Sequence, residues 1–359
     1  MRTSTFARNA SGLALVMLLA GCSGGNSQTP ALSGPANPLA LSGSANALAL
    51  SGSANALALS GSANALGQGS AAGHNRGFME SPDAKTKVLY ISSFGTEAVV
   101  DVLSMSGVLV GQITEGLVEP EGLFVDGTGN LWVANFSNVL VYPHGSLTPT
   151  ATLEDPVGYP TDVTVCPNGT AYVADLYDVS SGGSSASIQV YPPGNTTPSG
   201  SLTFPNDIRN PVLTCDAAGN VFVGISTSQY VGNSRVIEFP LGQQAGAKDL
   251  GIALQYPGGI KPDNAGNLLV NDVGAQTMTE YSEAGAPTGI SFATGDAILG
   301  IALSRDGNKI LGANPAGPSG TTWSFPAGKQ ERSYTCCSRI GPPLQDVFGV
   351  AFYPGQKGI

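Results

Sequence analysis

Side chains able to do chemistry are scarce in this chain. Its 359 residues include two histidines and five cysteines. From residue 86 onward His144 is the only histidine. It follows Tyr142 and Pro143 at the end of an apolar run, which predicts an outer position, remote from any central axis. That region has no Ser nucleophile elbow, His-based metal motif or phosphate-binding glycine loop. Cys166 and Cys215 stand at nearly equivalent points of two similar segments, where a bridge and two buried free thiols both satisfy the sequence. Cys336 and Cys337 are adjacent; they could bridge to each other, or one could bridge elsewhere, because four cysteines allow three connectivities. Asn135, Asp175, Asp272 (next to Asn271) and Asn314 recur at the ends of apolar runs. Such residues bond local backbone and make turns; a ligand-facing rim is the sharper reading. Lys261 and Arg305 interrupt strand-turn segments and could face a funnel, a solvated turn being the simpler reading.

The elements that must position these residues are set by a long repeat. Units begin at Pro120, Pro160, Asn210, Pro257 and Ile298, spaced 40 to 50 residues apart. Each reads as two short apolar strands around a Gly/Asn turn, a chemistry suited to a hairpin because both residues tolerate positive φ. Runs such as Leu131-Trp132-Val133-Ala134 are apolar throughout, so both sheet faces are covered. Two further strands follow in each unit. Trp132, Tyr172, Phe222 and Leu269 form one aligned column, and Tyr142, Tyr191, Phe239, Tyr281 and Phe325 another, both expected to pack between units. Four strands per 40–50 residues predict an all-β protein, a β-propeller of four-stranded antiparallel blades. The segment 347–353 matches the first strand of a unit and stops there, whereas residues 88–93 match a second strand. N-terminal strands over 87–114 are therefore expected to pair with the C-terminal strand, closing a ring of six blades without an exposed inner edge.

The Pro-x-Gly-Leu segment followed by Gly-Asn-Leu-Trp-Val-Ala-Asn, as in residues 120–135, resembles NHL-repeat propellers and the wider TolB-like group. That group includes gluconolactonase-like enzymes and the streptogramin lyases. The resemblance covers residues 86–359 and speaks for architecture more than activity, since propellers host binding proteins and enzymes alike. Gluconolactonase-like propellers hold a metal in the central funnel through Glu, Asn and Asp. By that resemblance Glu121, Asp162, Asn210 and Asp346 are the funnel candidates, an oxygen-rich set suited to Ca²⁺ or Mg²⁺. The fourth and fifth units offer glycines there, Gly258, Gly259 and Gly300, so the family's ligand pattern is incomplete. Streptogramin lyase chemistry would need a general base, and His144 is expected away from the axis.

The beginning of the chain reads as an address and a tether. Arg2 and Arg8 precede an apolar run over 13–20 that ends in Leu19-Ala20-Gly21-Cys22. This is similar to the lipobox of bacterial lipoproteins, which implies cleavage before Cys22 and lipidation of Cys22, with several acyl chains giving stable anchoring. Residues 31–66 are four nine-residue copies, ALSGPANPL and then ALSGSANAL three times. Recurring Gly and Asn disfavour helix, and so few large apolar groups cannot bury a core. A flexible spacer of this length would hold its cargo roughly 45 Å from the membrane. The expected organisation is a signal peptide over 1–22, a linker over 23–85 and the propeller over 86–359. Charged residues make up 11% of the chain and its net charge is −10. Arg2, Arg8 and Arg76 precede residue 77 and no acidic residue does, so the remainder carries −13. That sign argues against nucleic acid and favours a cationic ligand over an anion. The reading is a monomeric propeller held by lipid on the exported side of a bacterial envelope. It would bind an unknown protein or small molecule; a metal-dependent hydrolase or lactonase is the alternative.

Overall fold

The computed structural model describes residues 86–93, 98–156, 158–178, 186–204, 209–226, 234–315, 319–335 and 347–356, the side chains of 177, 178 and 209 excepted. Cys22, Cys336, Cys337, Asp346 and the repeats of 31–66 lie outside the described residues. Blade 1 contains β1 (Val88–Ser93), β2 (Val99–Ser104) and β3 (Leu109–Ile113). Blade 2 contains β4 (Leu123–Val125), β5 (Leu131–Asn135), β6 (Asn138–Tyr142) and β7 (Ala151–Glu154). Blade 3 contains β8 (Gly158–Val165), β9 (Ala171–Asp178), β10 (Ser187–Tyr191) and β11 (Gly200–Leu202). Blade 4 contains β12 (Arg209–Cys215), β13 (Val221–Ser226), β14 (Ser234–Phe239) and β15 (Lys248–Leu254). Blade 5 contains β16 (Pro257–Pro262), β17 (Leu268–Asp272), β18 (Thr277–Tyr281) and β19 (Pro287–Ala293). Blade 6 contains β20 (Ile301–Leu303), β21 (Lys309–Ala313), β22 (Gly320–Ser324) and β23 (Gln330–Tyr334). The last strand, β24 (Val347–Tyr353), pairs antiparallel with β1 and completes blade 1. Six four-stranded antiparallel sheets result. The innermost strands β24, β4, β8, β12, β16 and β20 neighbour one another in that cyclic order. The chain is a six-bladed β-propeller, closed where tail meets head as the repeat predicted.

The repeated turn has a local cause. Asp126 Oδ1 accepts the backbone N–H groups of Thr128 and Asn130, each at 2.9 Å. Asp216 and Asp263 do the same for residues two and four further on. The carboxylate thus acts as a turn former, and the glycine before the Asn, Gly129 at φ 95°, takes the left-handed backbone that the reversal needs. Beyond the turn, alternate residues enter different cores. Leu131 and Val133 pack between blades 1 and 2, whereas Trp132 and Ala134 face blade 3. Burial on both faces explains the uninterrupted apolar runs. The two aromatic columns are divided among the inter-blade cores in the same way.

Wedges converge at the axis, and glycine permits the approach. Gly122 N–H donates to Thr161 O of blade 3 at 2.9 Å. A Cβ on Gly349 would lie 2.1 Å from Glu121 O. Cys166 and Cys215 form a disulfide between the ends of the inner strands of blades 3 and 4, with Cα atoms 5.4 Å apart. It closes a loop with a sequence separation of 49 residues. By loop-closure entropy, replacing both cysteines with Ala is expected to cost about 2–4 kcal/mol. Urea unfolding checks this; an unchanged midpoint would mean that the bridge adds no stability.

Candidate functional site

Each inner strand starts on one face of the ring, here the entrance face, and each second strand ends there. The four rim candidates lie at or near those strand ends, and three of them act as loop clamps. Asn135 Oδ1 accepts Val118 N–H at 2.8 Å and Glu119 N–H at 3.2 Å. Asp272 accepts Gln255 N–H and Tyr256 N–H at 2.8 and 3.0 Å. Asn314 donates to Asp296 Oδ2 at 2.9 Å, and buried Asp175 lies against Gly158, where a Cβ would meet its carboxyl group. Asn135, Asp272 and Asn314 thus hold the loops that enter their own blades, whereas Asp175 accepts from Ser187 of its own blade. The turn-making reading describes these residues, and their effect is to place Glu119 and Tyr256 at the funnel mouth.

The funnel candidates divide. Glu121 and Asp162 come together on adjacent blades, close enough for their charges to interact. Asn210 opens β12 with φ 48°, a left-handed conformation that Asn tolerates. Glu121 is 4% exposed, and its Oε2 has no hydrogen-bond partner among the described residues. Its carboxyl group is hydrogen-bonded to Tyr159. The Tyr159 hydroxyl in turn donates to Glu119 Oε2 at 2.6 Å. Tyr256, from the opposite blade, is within electrostatic reach of Glu121. Phe136 is 45% exposed at the lip and sits edge-on to Tyr159, with ring centroids 5.5 Å apart. Sequence reasoning named Glu121 but missed Glu119, Tyr159 and Tyr256, which lie in the blade-entry segments just ahead of the aligned strand cores.

Burial raises the Glu121 pKa from 4.5 to about 8, with repulsion from Glu119 and Asp162 adding to the rise and the Tyr159 hydrogen bond opposing it. At neutral pH the carboxyl group is therefore mostly protonated. An acid whose folded pKa is raised favours the fold below its unfolded pKa and loses that contribution as pH rises. Stability should fall between pH 4.5 and about 8, by at most about 1.4 kcal/mol per pH unit. Glu121→Gln should flatten that fall and be more stable than the parent at pH 9. Thermal unfolding across pH tests this; parallel profiles for the two proteins would contradict the burial argument.

Deeper in the channel the candidate metal ligand Asp162 is already engaged. Its Oδ1 accepts Val163 N–H at 2.9 Å and its Oδ2 accepts Leu213 N–H of blade 4 at 3.0 Å. Lys261, two blades away, is buried and attracts it electrostatically across the axis. The solvated-turn expectation for Lys261 is thus corrected: β16 carries it into the channel, whereas Arg305 lies on an exposed turn. Burial lowers the Lys261 pKa and raises that of Asp162, each offset by the other's charge. Each Asp162 oxygen thus already accepts one backbone N–H, and the Lys261 charge is directed toward it. The far mouth is crossed by the C-terminal tail. Gly355 lies against Val125 O of blade 2, and Gln356 Nε2 donates to Pro262 O of blade 5. His144 lies on that far face, stacked on Tyr353 with ring centroids 3.3 Å apart and hydrogen-bonded to Tyr90 at 3.1 Å. Burial lowers its pKa to about 4.

Fold and site together define a six-bladed propeller with a carboxyl-phenol cluster at one mouth of its channel. The chain matches no protein-family model and no curated protein sequence. Similar solved structures include a chain of a nidogen/laminin complex, with TM-score 0.60 and 12% identity over 75% of this chain and 99% of that one. A protein of unknown function from Bacteroides caccae gives TM-score 0.54 and 12% identity over 74% of this chain and 98% of that one. Hydrazine synthase of Kuenenia stuttgartiensis gives 0.51 and 16% over 66% of this chain and 80% of that one. At these identities the likeness establishes the fold.

Proposed function

We propose that the propeller is a binding module that receives a small molecule or a protein segment at the entrance face of its channel. The observation that carries this is the buried Glu121 Oε2, without a hydrogen-bond partner among the described residues while the neighbouring polar groups are committed to loops and strands. Such a group recognises a ligand by completing its own hydrogen bonding. The similarly folded chain of the nidogen/laminin complex comes from an assembly of two proteins, which fits a protein partner here. In this reading the chain is a TolB-like, NHL-type propeller on a bacterial lipoprotein. Lipid on Cys22 holds it to the membrane, and residues 23–85 space the domain over 86–359 from the surface of the cell envelope. A small-molecule and metal thermal-shift screen tests the site: stabilising compounds should lose their effect in Glu121→Gln. Hits indifferent to that substitution would place binding elsewhere. A Glu121-dependent response to Ca²⁺ or Mg²⁺ together with turnover of a lactone panel would favour the hydrolase instead.

A further inference from the structure

The proposed binding function leaves the chemistry of the ligand open, and the funnel mouth narrows it. Glu121, on the segment entering β4, presents a buried oxygen without a hydrogen-bond partner among the described residues. Around it stand Tyr159 from β8, Tyr256 ahead of β16 and the half-buried Glu119, with Phe136 at the lip. The charged groups reaching Glu121 are Glu119 and Asp162, both acidic. The positive charge deeper in the channel, on Lys261, is directed to Asp162. The mouth thus combines two carboxyl groups, two phenols and an exposed phenyl ring. Carboxylates beside aromatic rings are the arrangement that holds ammonium groups, by charge and by attraction of the cation to the ring quadrupole.

Resting on the binding-module reading, we infer that the funnel takes an organic cation, an ammonium group on an apolar body, seated between Glu121 and the Tyr159, Tyr256 and Phe136 side chains. The ammonium group lies against Glu121 Oε2, Glu119 supplies a second negative charge nearer solvent, and the apolar body lies toward Phe136. Anionic ligands are disfavoured by Glu119 and by the net charge of the domain, and by Glu121 as well once it ionises. The two phenols remain protonated throughout, because burial raises the pKa of each.

Isothermal titration of the full chain with choline and with phenethylammonium tests this, against 3,3-dimethylbutanol, the neutral isostere of choline. The expected result is binding of the cations about tenfold or more tighter than the isostere. Choline keeps its charge at every pH, so its affinity should rise between pH 6 and 9 as the buried acid ionises. Glu121→Gln should abolish that rise. Phe136→Ala alters an exposed side chain and leaves the fold intact, so a weakened affinity there localises the ligand independently. Equal affinity for choline and its isostere would overturn the inference, as would cation binding unaffected by either substitution. If neutral or anionic compounds from the wider screen bind in a Glu121-dependent way and these cations do not, the cation inference fails while the binding-module reading stands.

Discussion

Truncation after residue 346 is expected to unfold the propeller as a whole. The deleted segment contains β24, which supplies the inner strand of blade 1 and packs on blades 2 and 6. Val347, Val350, Phe352 and Tyr353 are all buried. Side chains of this size contribute about 1.5–3 kcal/mol each on burial, so together they rival the ~5–15 kcal/mol of net stability of an ordinary domain. Their loss also exposes Leu89 and Ile91 on one side of β1 and Val88 and Tyr90 on the other, opening two cores at once. Circular dichroism and limited proteolysis of the truncated protein check this, the expected outcome being no cooperative thermal transition and rapid cleavage throughout. A truncated protein with a cooperative transition near that of the parent would show that the ring does not depend on its latch. The same latch responds to acid. His144 stacks on Tyr353, and burial takes its pKa from 6.5 to about 4. A base with a depressed folded pKa costs stability as pH falls below its unfolded value, so contacts at the latch weaken between pH 6.5 and about 4.

The latch was legible because it is written in local terms. The tail carries a first-strand pattern without its hairpin partner, and the head carries a second-strand pattern without its predecessor, so each names the other. The Asp-x-x-Gly-Asn turn and the apolar runs were equally plain, since a turn former and a doubly buried strand each act within a few residues. The axis was harder to read. Lys261 stands in a column whose other members are Phe124, Thr164, Thr214, Ala302 and Ala351, and nothing local distinguishes a solvated lysine from one projecting inward. Its electrostatic partner is Asp162, two blades away, an attraction that exists only once the ring has closed. Glu119 and Tyr256 were missed for a related reason. They sit in blade-entry segments of irregular sequence, and it is Asn135 and Asp272, clamping those segments, that bring them to the mouth. The clamps were visible in the sequence, whereas the residues they hold were not.

Lys261→Met is expected to be destabilising for a physical reason distinct from packing. Methionine replaces the stem of the lysine and fills similar space, so the apolar contacts persist. What is lost is the positive charge facing Asp162, whose carboxylate then keeps two backbone N–H donors but no compensating cation. The two charges attract without forming a direct ion pair and Asp162 is only half-buried, so the lost attraction is worth about 1 kcal/mol. The penalty should depend on pH in a defined direction. Without the lysine the Asp162 pKa rises further above 3.8, so protonation relieves the carboxylate at low pH and the deficit grows as pH rises. Asp162→Asn in the Lys261→Met background removes the stranded charge. The double variant should therefore lose less than the two single losses combined, although the Asn amide nitrogen cannot accept one of the two N–H bonds. A double-mutant cycle by urea unfolding at pH 5 and pH 8 measures this coupling directly. Additive losses independent of pH would mean that the two charges are screened from one another at this depth of the channel.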